Sequence, residues 1–524
     1  MRSIIAAERL FRLASCSSCF GSAAFRRTSS RTFSTTKFLT AGADDGTTKP
    51  GSKGYEPPVE LSPMERIIKF VKTDTKGMWD TLRMHKTDLG HLEDRIFPNF
   101  CDILIIGGGI MGSAVAYYMK ERVPESFTIV VVEKDPSYAH AASTNSMGTI
   151  RVQFSDELNV KAALFGAEFL RTMTEKLKMT LQISKEPNDI LFNPQGFLFL
   201  GTQADVAQME VNHETQMKAG AKVALLTPDL LRDRYPWMNF EDIALASYGL
   251  ENEGWYDTWK LLYALKEKNM SWGIYYVHGE VVDFKFDNSY GDHYVASVGG
   301  QRFERLKDVI VVTPDRGTQV IQFAYSIIAA GHESGNVAKL TGLGAEKGLR
   351  ILPLPIEKRK RYMYAFHCPD GPRLSFPILV DPNGLFVRRH DLEGTFMCSW
   401  TPKTNEQEPD PSDPFGNEAF FRDVLWPKLA FRVPAFEKLQ LLGAWATFYD
   451  YNYFDQAGVV GQHPYYHNLL FATGFSGYGI QMAPAVGKAI QDLILEKDFV
   501  HLNMDKWKFD RFVDFVPAKE SVLV

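Results

Sequence analysis

The sequence predicts a mixed α/β fold, in which a doubly wound, Rossmann-like dinucleotide-binding domain is interleaved with an antiparallel-sheet substrate domain. Three observations predict it. A β-branched run at 103–106 enters a glycine cluster and a helix-compatible stretch at 111–122 leaves it. A second passage from strand through glycines to helix lies near the C-terminus, at 458–487. Between them, residues 352–400 carry short strand signals (RYMYAFHC, FPILVD, GLFVRR, TFMCSW) broken by Pro and Gly, the pattern of an antiparallel sheet.

The first passage, CDILIIGGGIMGSAVAYYMKERVPESFTIVVVEKD at 101–135, reads as one βαβ unit whose second strand, 128–132, ends on Glu133. Gly107 allows the tight turn, Gly109 lets the backbone approach a pyrophosphate, and Gly112 lets helix and strand pack closely. The helix N-terminus, with Ile110 and Met111 in its first turn, then faces the phosphates with free N–H groups. Glu133, followed by Lys134, is placed to accept hydrogen bonds from an adenosine ribose. The motif alone does not separate NAD from FAD.

At 524 residues the chain exceeds what one core usually serves, so two interlocked domains are expected. A net charge of −5 gives no electrostatic case for nucleic acid. No apolar run approaches the roughly 20 residues of a spanning helix, so no transmembrane segment is expected. The first forty-three residues carry six arginines and Lys37 against one acid, Glu8, and are rich in Ser, Thr, Ala and Phe. That composition reads as a mitochondrial transit peptide over 1–40, with a matrix-peptidase-like site after Phe33; the alternative is a disordered basic tail. Cys16 and Cys19 fall inside it, and Cys101, Cys368 and Cys398 lack metal spacing, so no metal is expected.

Residues 41–60 read as a linker, and 63–72 as a short amphipathic helix that packs on its own domain or touches a membrane surface or partner. The stretch AASTNSMGTIRVQF, 141–154, suits a loop along a cofactor. In it Arg151 sits among apolar neighbours and needs a partner, either an acidic side chain or a substrate carboxylate. Helices are expected at 158–177, from Pro228 behind an N-cap at Thr227, and from near Asp257, with strands at 195–201 and 274–285 and a β-meander to about 320. YSIIAAG at 325–331 is a strand whose end, Ala330 and Gly331, lets a ligand lie on the backbone, and His332 after it reads as a loop residue. Arg388, Arg389 and His390 are expected near an edge of the antiparallel sheet, as charges that discourage edge pairing. Residues 401–416 form a loop. In the last passage a strand at 469–473 runs into Gly474, Gly477 and Gly479, and a helix follows from 482 to 495. Its N-terminus is a second place where helix N–H groups can meet a ligand.

With GGGIMG, Glu133, the Ala-Ala-Gly strand end and GFSGYGI in that order, the chain resembles the D-amino-acid oxidase and sarcosine oxidase superfamily over about 101–495. The resemblance implies FAD, with Gly107, Gly109, Gly112 and Glu133 at its ADP half. It further implies Ser143, Thr144 and Asn145 along the isoalloxazine, and Gly477, Tyr478, Gly479, Ile480 and Gln481 at the pyrimidine edge. Where sarcosine oxidases attach flavin through a cysteine two residues before a tyrosine, this chain has Thr447 before Tyr449, so non-covalent FAD is implied. Their carboxylate-binding lysine falls on Gln481, which leaves Arg151 as the remaining cation. Losing one such partner costs roughly 2–5 kcal/mol of carboxylate recognition.

The stretch YDYNYFDQAGVVGQHP and the short tail after Leu495 narrow the resemblance to a mitochondrial branch of the superfamily that serves assembly of respiratory complex I. Complex I assembly intermediates are then the implied partners, with a matrix location and peripheral association with the inner membrane left open. The alternative is a matrix flavoenzyme oxidising a secondary amine or an amino-acid-like substrate. The expected organisation is a FAD-binding domain over 99–190, 247–346 and 443–497, and a substrate domain over 191–246 and 347–442. Residues 41–98 precede these domains and 498–524 form a tail.

Overall fold

The computed structural model describes residues 97–178, 189–287, 305–345, 348–402 and 408–521. The leader at 1–40, the 63–72 helix and nearly all of the 41–98 segment lie outside these residues. Strand β1 (Phe100–Ile106) is buried along nearly all its length, as a strand inside a parallel sheet must be. It leads into α1 (Ile110–Arg122), and β2 (Ile129–Glu133) returns beside it. A one-turn helix, α2 (Ala142–Asn145), and a two-residue strand, β3 (Thr149–Ile150), occupy the expected loop. Helix α3 (Glu157–Lys176) is capped by Asp156, which accepts from the Leu158 N–H.

The chain then leaves through β4 (Asn193–Pro194), β5 (Phe197–Gly201), α4 (Val206–Lys218), β6 (Val223–Leu226), α5 (Pro228–Arg234), β7 (Leu245–Gly249) and β8 (Gly254–Trp255). Helix α6 (Thr258–Ser271), capped by Asp257 through the Trp259 and Lys260 N–H groups, brings it back. Next come β9 (Tyr275–His278), β10 (Glu280–Asp287), β11 (Arg305–Thr313), β12 (Gly317–Ile328) and α7 (Ser334–Leu340). The second excursion holds β13 (Ile356–His367), β14 (Ile378–Val380), β15 (Leu385–Arg389), β16 (Thr395–Trp400), α8 (Trp426–Arg432) and β17 (Gln440–Asn452). Strands β18 (Val459–Gln462) and β19 (Leu469–Thr473) and helix α9 (Gly479–Leu495) complete the first unit. Helix α9 starts three residues earlier than the sequence pattern suggests.

Two eight-stranded sheets result. In the first, β9, β2, β1, β12 and β19 run parallel in that order, and β10 and β11 join β12 as the expected antiparallel meander. In the second, the order is β17-β13-β16-β15-β14-β5-β7-β6, antiparallel except where β14 meets β5. Strand β17 pairs with β13 along its length up to Asn452, and β7 pairs with β5 and β6. Both strands therefore belong to the second sheet, beyond the expected limits at 443 and 247. Strand β15 lies between β16 and β14, so Arg388 and Arg389 are buried inside the sheet, not placed near its edge. There Arg388 donates to Met147 O and lies 4.3 Å from the Trp255 ring, which replaces the solvation a sheet edge would have given it. The expected tail is part of the core, since Trp507, Phe509 and Phe512 are buried and Arg511 pairs with buried Asp455. Among the described residues no helix is long and apolar enough to cross a membrane.

The second sheet is fastened by a buried cation. Arg432, at the end of α8, is fully buried and reaches Asp381, Asp242 and the Asn239 carbonyl. Removing one member of such a pair strands the other in a low-dielectric interior. Arg432→Ala is expected to destabilise the protein by about 3–5 kcal/mol, read as a lower urea midpoint. An unchanged midpoint would show that Asp381 finds water instead.

Candidate functional site

Strands β1 and β12 are neighbours that end at the same rim, and the chain leaves them in different directions. A crevice opens at such a reversal of strand order. The two strand ends nearly touch: a Cβ on Gly107, whose φ is +103°, would lie 2.3 Å from Ala329 O. A Cβ on Gly112 would lie 2.0 Å from Gly107 O, so this glycine serves helix–strand packing, as its place in the motif implies. Gly109 is different. A Cβ there would meet only Ser143 Oγ, at 3.0 Å, and would otherwise project into the crevice.

From this turn a cavity of about 860 Å³ runs past Glu133, Ala330 and Gly331 to the segment from Gly477 to Gln481, and on to the inner face of the second sheet. Gly331 and Gly477 both line it at positive φ, and no described atom lies within 4 Å of a Cβ built on either. Their backbones are bare toward the cavity. Glu133 Oε2 accepts from the Gly108 N–H at 2.7 Å, and its Oε1 from the Asp135 N–H at 2.8 Å. A carboxylate has roughly four lone-pair positions, so acceptor capacity remains for ribose hydroxyls. Burial pushes this carboxyl up, opposed by the two N–H groups and by Lys266. Lys134 lines the cavity and is paired with Glu280 at 2.6 Å.

Several expected contacts are placed elsewhere. Ser143 lines the cavity next to the glycine turn, where its Oγ accepts from the Ile110 N–H at 3.2 Å. Thr144 and Asn145 do not line the cavity: Thr144 donates to Tyr138 O and Asn145 to Ala139 O, and the segment before α2 consumes both side chains. Ser146, Met147, Gly148 and Thr149 line the wall in their place. Gly474 also lies off the cavity, donating to Asp450 at 2.5 Å. Half-buried Asp450 additionally accepts from the Phe475 N–H and Thr473 Oγ1, which clasps β17 to the turn before α9.

At the far end, Gln481 Oε1 accepts from the Arg151 backbone N–H at 2.9 Å. The Arg151 guanidinium is buried, with its carbon 4.8–4.9 Å from the ring centroids of Phe154, Phe199 and Tyr478. It forms no ion pair among the described residues; aromatic faces surround it. Its Nε and Nη2, together with Gln481 Nε2 and Thr447 Oγ1, are buried on cavity-lining residues and have no hydrogen-bond partner among the described residues. Behind it, buried Glu253 accepts from the Val152 and Phe197 N–H groups and from the Gln153 amide. Sequence reasoning missed Glu253, and it also missed His140, Lys358, Phe448 and Asp450, which line the cavity. No local pattern announces these residues, because the second sheet and the segment after β2 bring them in from a distance.

These features fit FAD. Bare glycines stand at both ends of an elongated cavity, the N-termini of α1 and α9 border it, and unpartnered donors cluster at the α9 end. The sequence profile of the family described as DAO, FAD dependent oxidoreductase, matches residues 102–493. The chain is 43% identical over 432 residues to FAD-dependent oxidoreductase domain-containing protein 1 of Xenopus laevis, across 82% of this chain and 85% of that protein. Identity to the Bos taurus protein of the same name is 42% over 454 residues, across 86% and 90%. Among solved structures, L-proline dehydrogenase from P. horikoshii overlays with a TM-score of 0.65 at 22% identity, covering 80% of this chain and 100% of that one. Glycine oxidase from Geobacillus kaustophilus overlays at 0.60 and 19%, covering 78% and 98%. At those identities the two structures establish likeness of fold.

Two predictions follow from this geometry. Gly109→Val is expected to fold and lose bound flavin, whereas Gly112→Val, whose side chain would overlap Gly107 O, is expected to lose about 3 kcal/mol of stability. Flavin absorbance and unfolding midpoints of the two purified variants separate these effects. Burial also pushes the Glu253 carboxyl up to about 7 against its N–H donors. A folded-state value above the unfolded one means that the native state holds the extra proton, so stability falls as pH rises from the ordinary glutamate range through about 7. The unfolding midpoint of the wild type should therefore fall relative to Glu253→Gln across that window, by at most about 3 kcal/mol, and run parallel to it at higher pH. A constant difference across the window would mean that Glu253 does not titrate there.

Proposed function

The chain belongs to the DAO family of FAD-dependent oxidoreductases and its cofactor is FAD; on that premise we propose that it holds FAD non-covalently in the mitochondrial matrix and serves the assembly of respiratory complex I. The observation that carries the reading is the state of the pocket's cationic end. Gln481 spends its carbonyl on the Arg151 backbone, and Arg151 is held among three aromatic rings. A small amino-acid carboxylate would find one guanidinium here and Gln481 where the resemblance implies a second cation. The flavin site, by contrast, keeps its glycine turns, its acid and both helix N-termini. A flavin bound for stability uses the same groups as one bound for chemistry, because any ligand of the native state alone stabilises the fold. The basic leader supports the matrix location, and the YDYNYFDQAGVVGQHP stretch supports the assembly role.

A second reading has its own observation. Arg151 Nε and Nη2 are buried without a partner and belong to a cavity-lining residue, which is how an anion-binding guanidinium waits for its ligand. On this reading the protein would oxidise a secondary amine or an amino-acid-like substrate; bound FAD would supply the two-electron acceptor, and the N–H groups at the start of α9 would favour negative charge beside them. Arg151 would orient the substrate, and Phe386 and Met363 would exclude water from the reacting face.

Thr447, where an attaching cysteine would stand, has a free hydroxyl on the cavity wall, and the described cysteines Cys101, Cys368 and Cys398 are buried away from the cavity. Acid denaturation is therefore expected to release all the flavin; fluorescence retained on the denatured band would contradict non-covalent binding. Anaerobic mixing of the flavin-loaded protein with a panel of amines and amino acids is expected to leave the flavin oxidised, while loss of the gene lowers assembled complex I on native gels. Rapid bleaching by one of the amines, lost in Arg151→Ala with FAD retained, would move the conclusion to the second reading.

A further inference from the structure

An FAD diphosphate carries a negative charge on each phosphate, and the glycine turn has little to set against it. The N-terminus of α1 supplies the equivalent of about half a unit charge, and the helix's basic residues, Lys120 and Arg122, stand in its last turn. Lys134, the lysine of the first unit on the cavity wall, is tied to Glu280 at 2.6 Å. The missing positive charge lies across the cavity, around Phe448 of β17. Lys358 Nζ, from β13, is 3.9 Å from the Phe448 ring centroid, and the rings of His332 and His140 lie 5.8 and 6.2 Å from it. All four residues line the cavity. His332 directly follows Gly331, and Ala329 and Ala330 pack on Gly107, so the cluster stands beside the glycine turn.

We propose that Lys358, held on the Phe448 ring and flanked by His332 and His140, is a side-chain cap over the FAD diphosphate, contributed by the second sheet to a site whose glycines come from the first. The proposal rests on FAD occupying this cleft. Lys358 has no ion pair among the described residues. Glu333 accepts from Asn336 at 2.9 Å and stands 3.7 Å from His332 Nε2, and Asp450, the register partner of Lys358 across β13 and β17, accepts from the Gly474 and Phe475 N–H groups. Burial pushes the His332 imidazole down to about 4, with Glu333 opposing and Lys358, His140 and Lys134 adding to the effect, so it flanks Lys358 as a neutral ring. An anion placed here would take the Lys358 ammonium as its counter-charge, and the Phe448 face keeps that ammonium positioned.

The test is equilibrium titration of flavin-free protein with FAD, ADP and adenosine, read by quenching of flavin fluorescence and by competition. Lys358→Met is expected to weaken FAD and ADP by about tenfold or more and leave adenosine unchanged, since adenosine lacks the diphosphate. Lys358→Arg should recover most of the loss. Unchanged ADP affinity in Lys358→Met overturns the cap. An equal loss for adenosine also overturns it, because the lysine would then shape the cleft without meeting phosphate. If the wild type binds neither FAD nor ADP, the reading of the cleft itself falls and takes the cap with it.

Discussion

The near-contact of two strand ends governs the rest of the site. Gly107 and Ala329 approach so closely that no side chain fits between them, and that approach fixes where α1 begins and where the chain beyond β12 turns away. The crevice exists because the parallel strands on either side are buried and cannot shift. Ile105 and Ile327, Ile106 and Ile328 are register partners with almost no exposed surface. A packed core of this kind resists small displacements, so the position of the phosphate-facing N–H groups is inherited from the register of β1 against β12.

The second sheet is more than a wall. Through Asp450 it holds the turn that starts α9, and through Phe448 and Lys358 it lines the same cavity as the glycine turn. Helix α3 completes the arrangement, since Gly166 allows it to lie against the Gln481 backbone, where a Cβ would come within 2.2 Å of the carbonyl. The flavin edge of the cavity is therefore set by three segments that meet at one helix start.

Much of this was legible in the sequence, and the reason is locality. The βαβ unit, the Ala-Ala-Gly strand end and the GFSGYGI turn each write their geometry into neighbouring residues, and the structure places Gly107, Gly109, Glu133, Gly331 and Gly477 around one cavity. What failed was non-local. Arg388 and Arg389 look like edge charges because sequence alone does not say that β14 and β5 continue the sheet beyond them. Thr144 and Asn145 look like flavin contacts because their capture by the carbonyls of Ala139 and Tyr138 depends on how the chain turns after β2. Glu253 gave no sign at all, since its donors lie 56 and 101 residues away.

The bond between the Arg151 N–H and Gln481 spans 330 residues, and Glu520 near the chain's end bonds to Ser155 and Asn159 at the start of α3. A cleft built this way has no early partial form, because its floor is made first along the chain and its flavin edge almost last. Bringing together segments 330 residues apart carries a larger loop-closure cost than the local glycine turn does, so the two ends of one cavity differ widely in the chain entropy they cost.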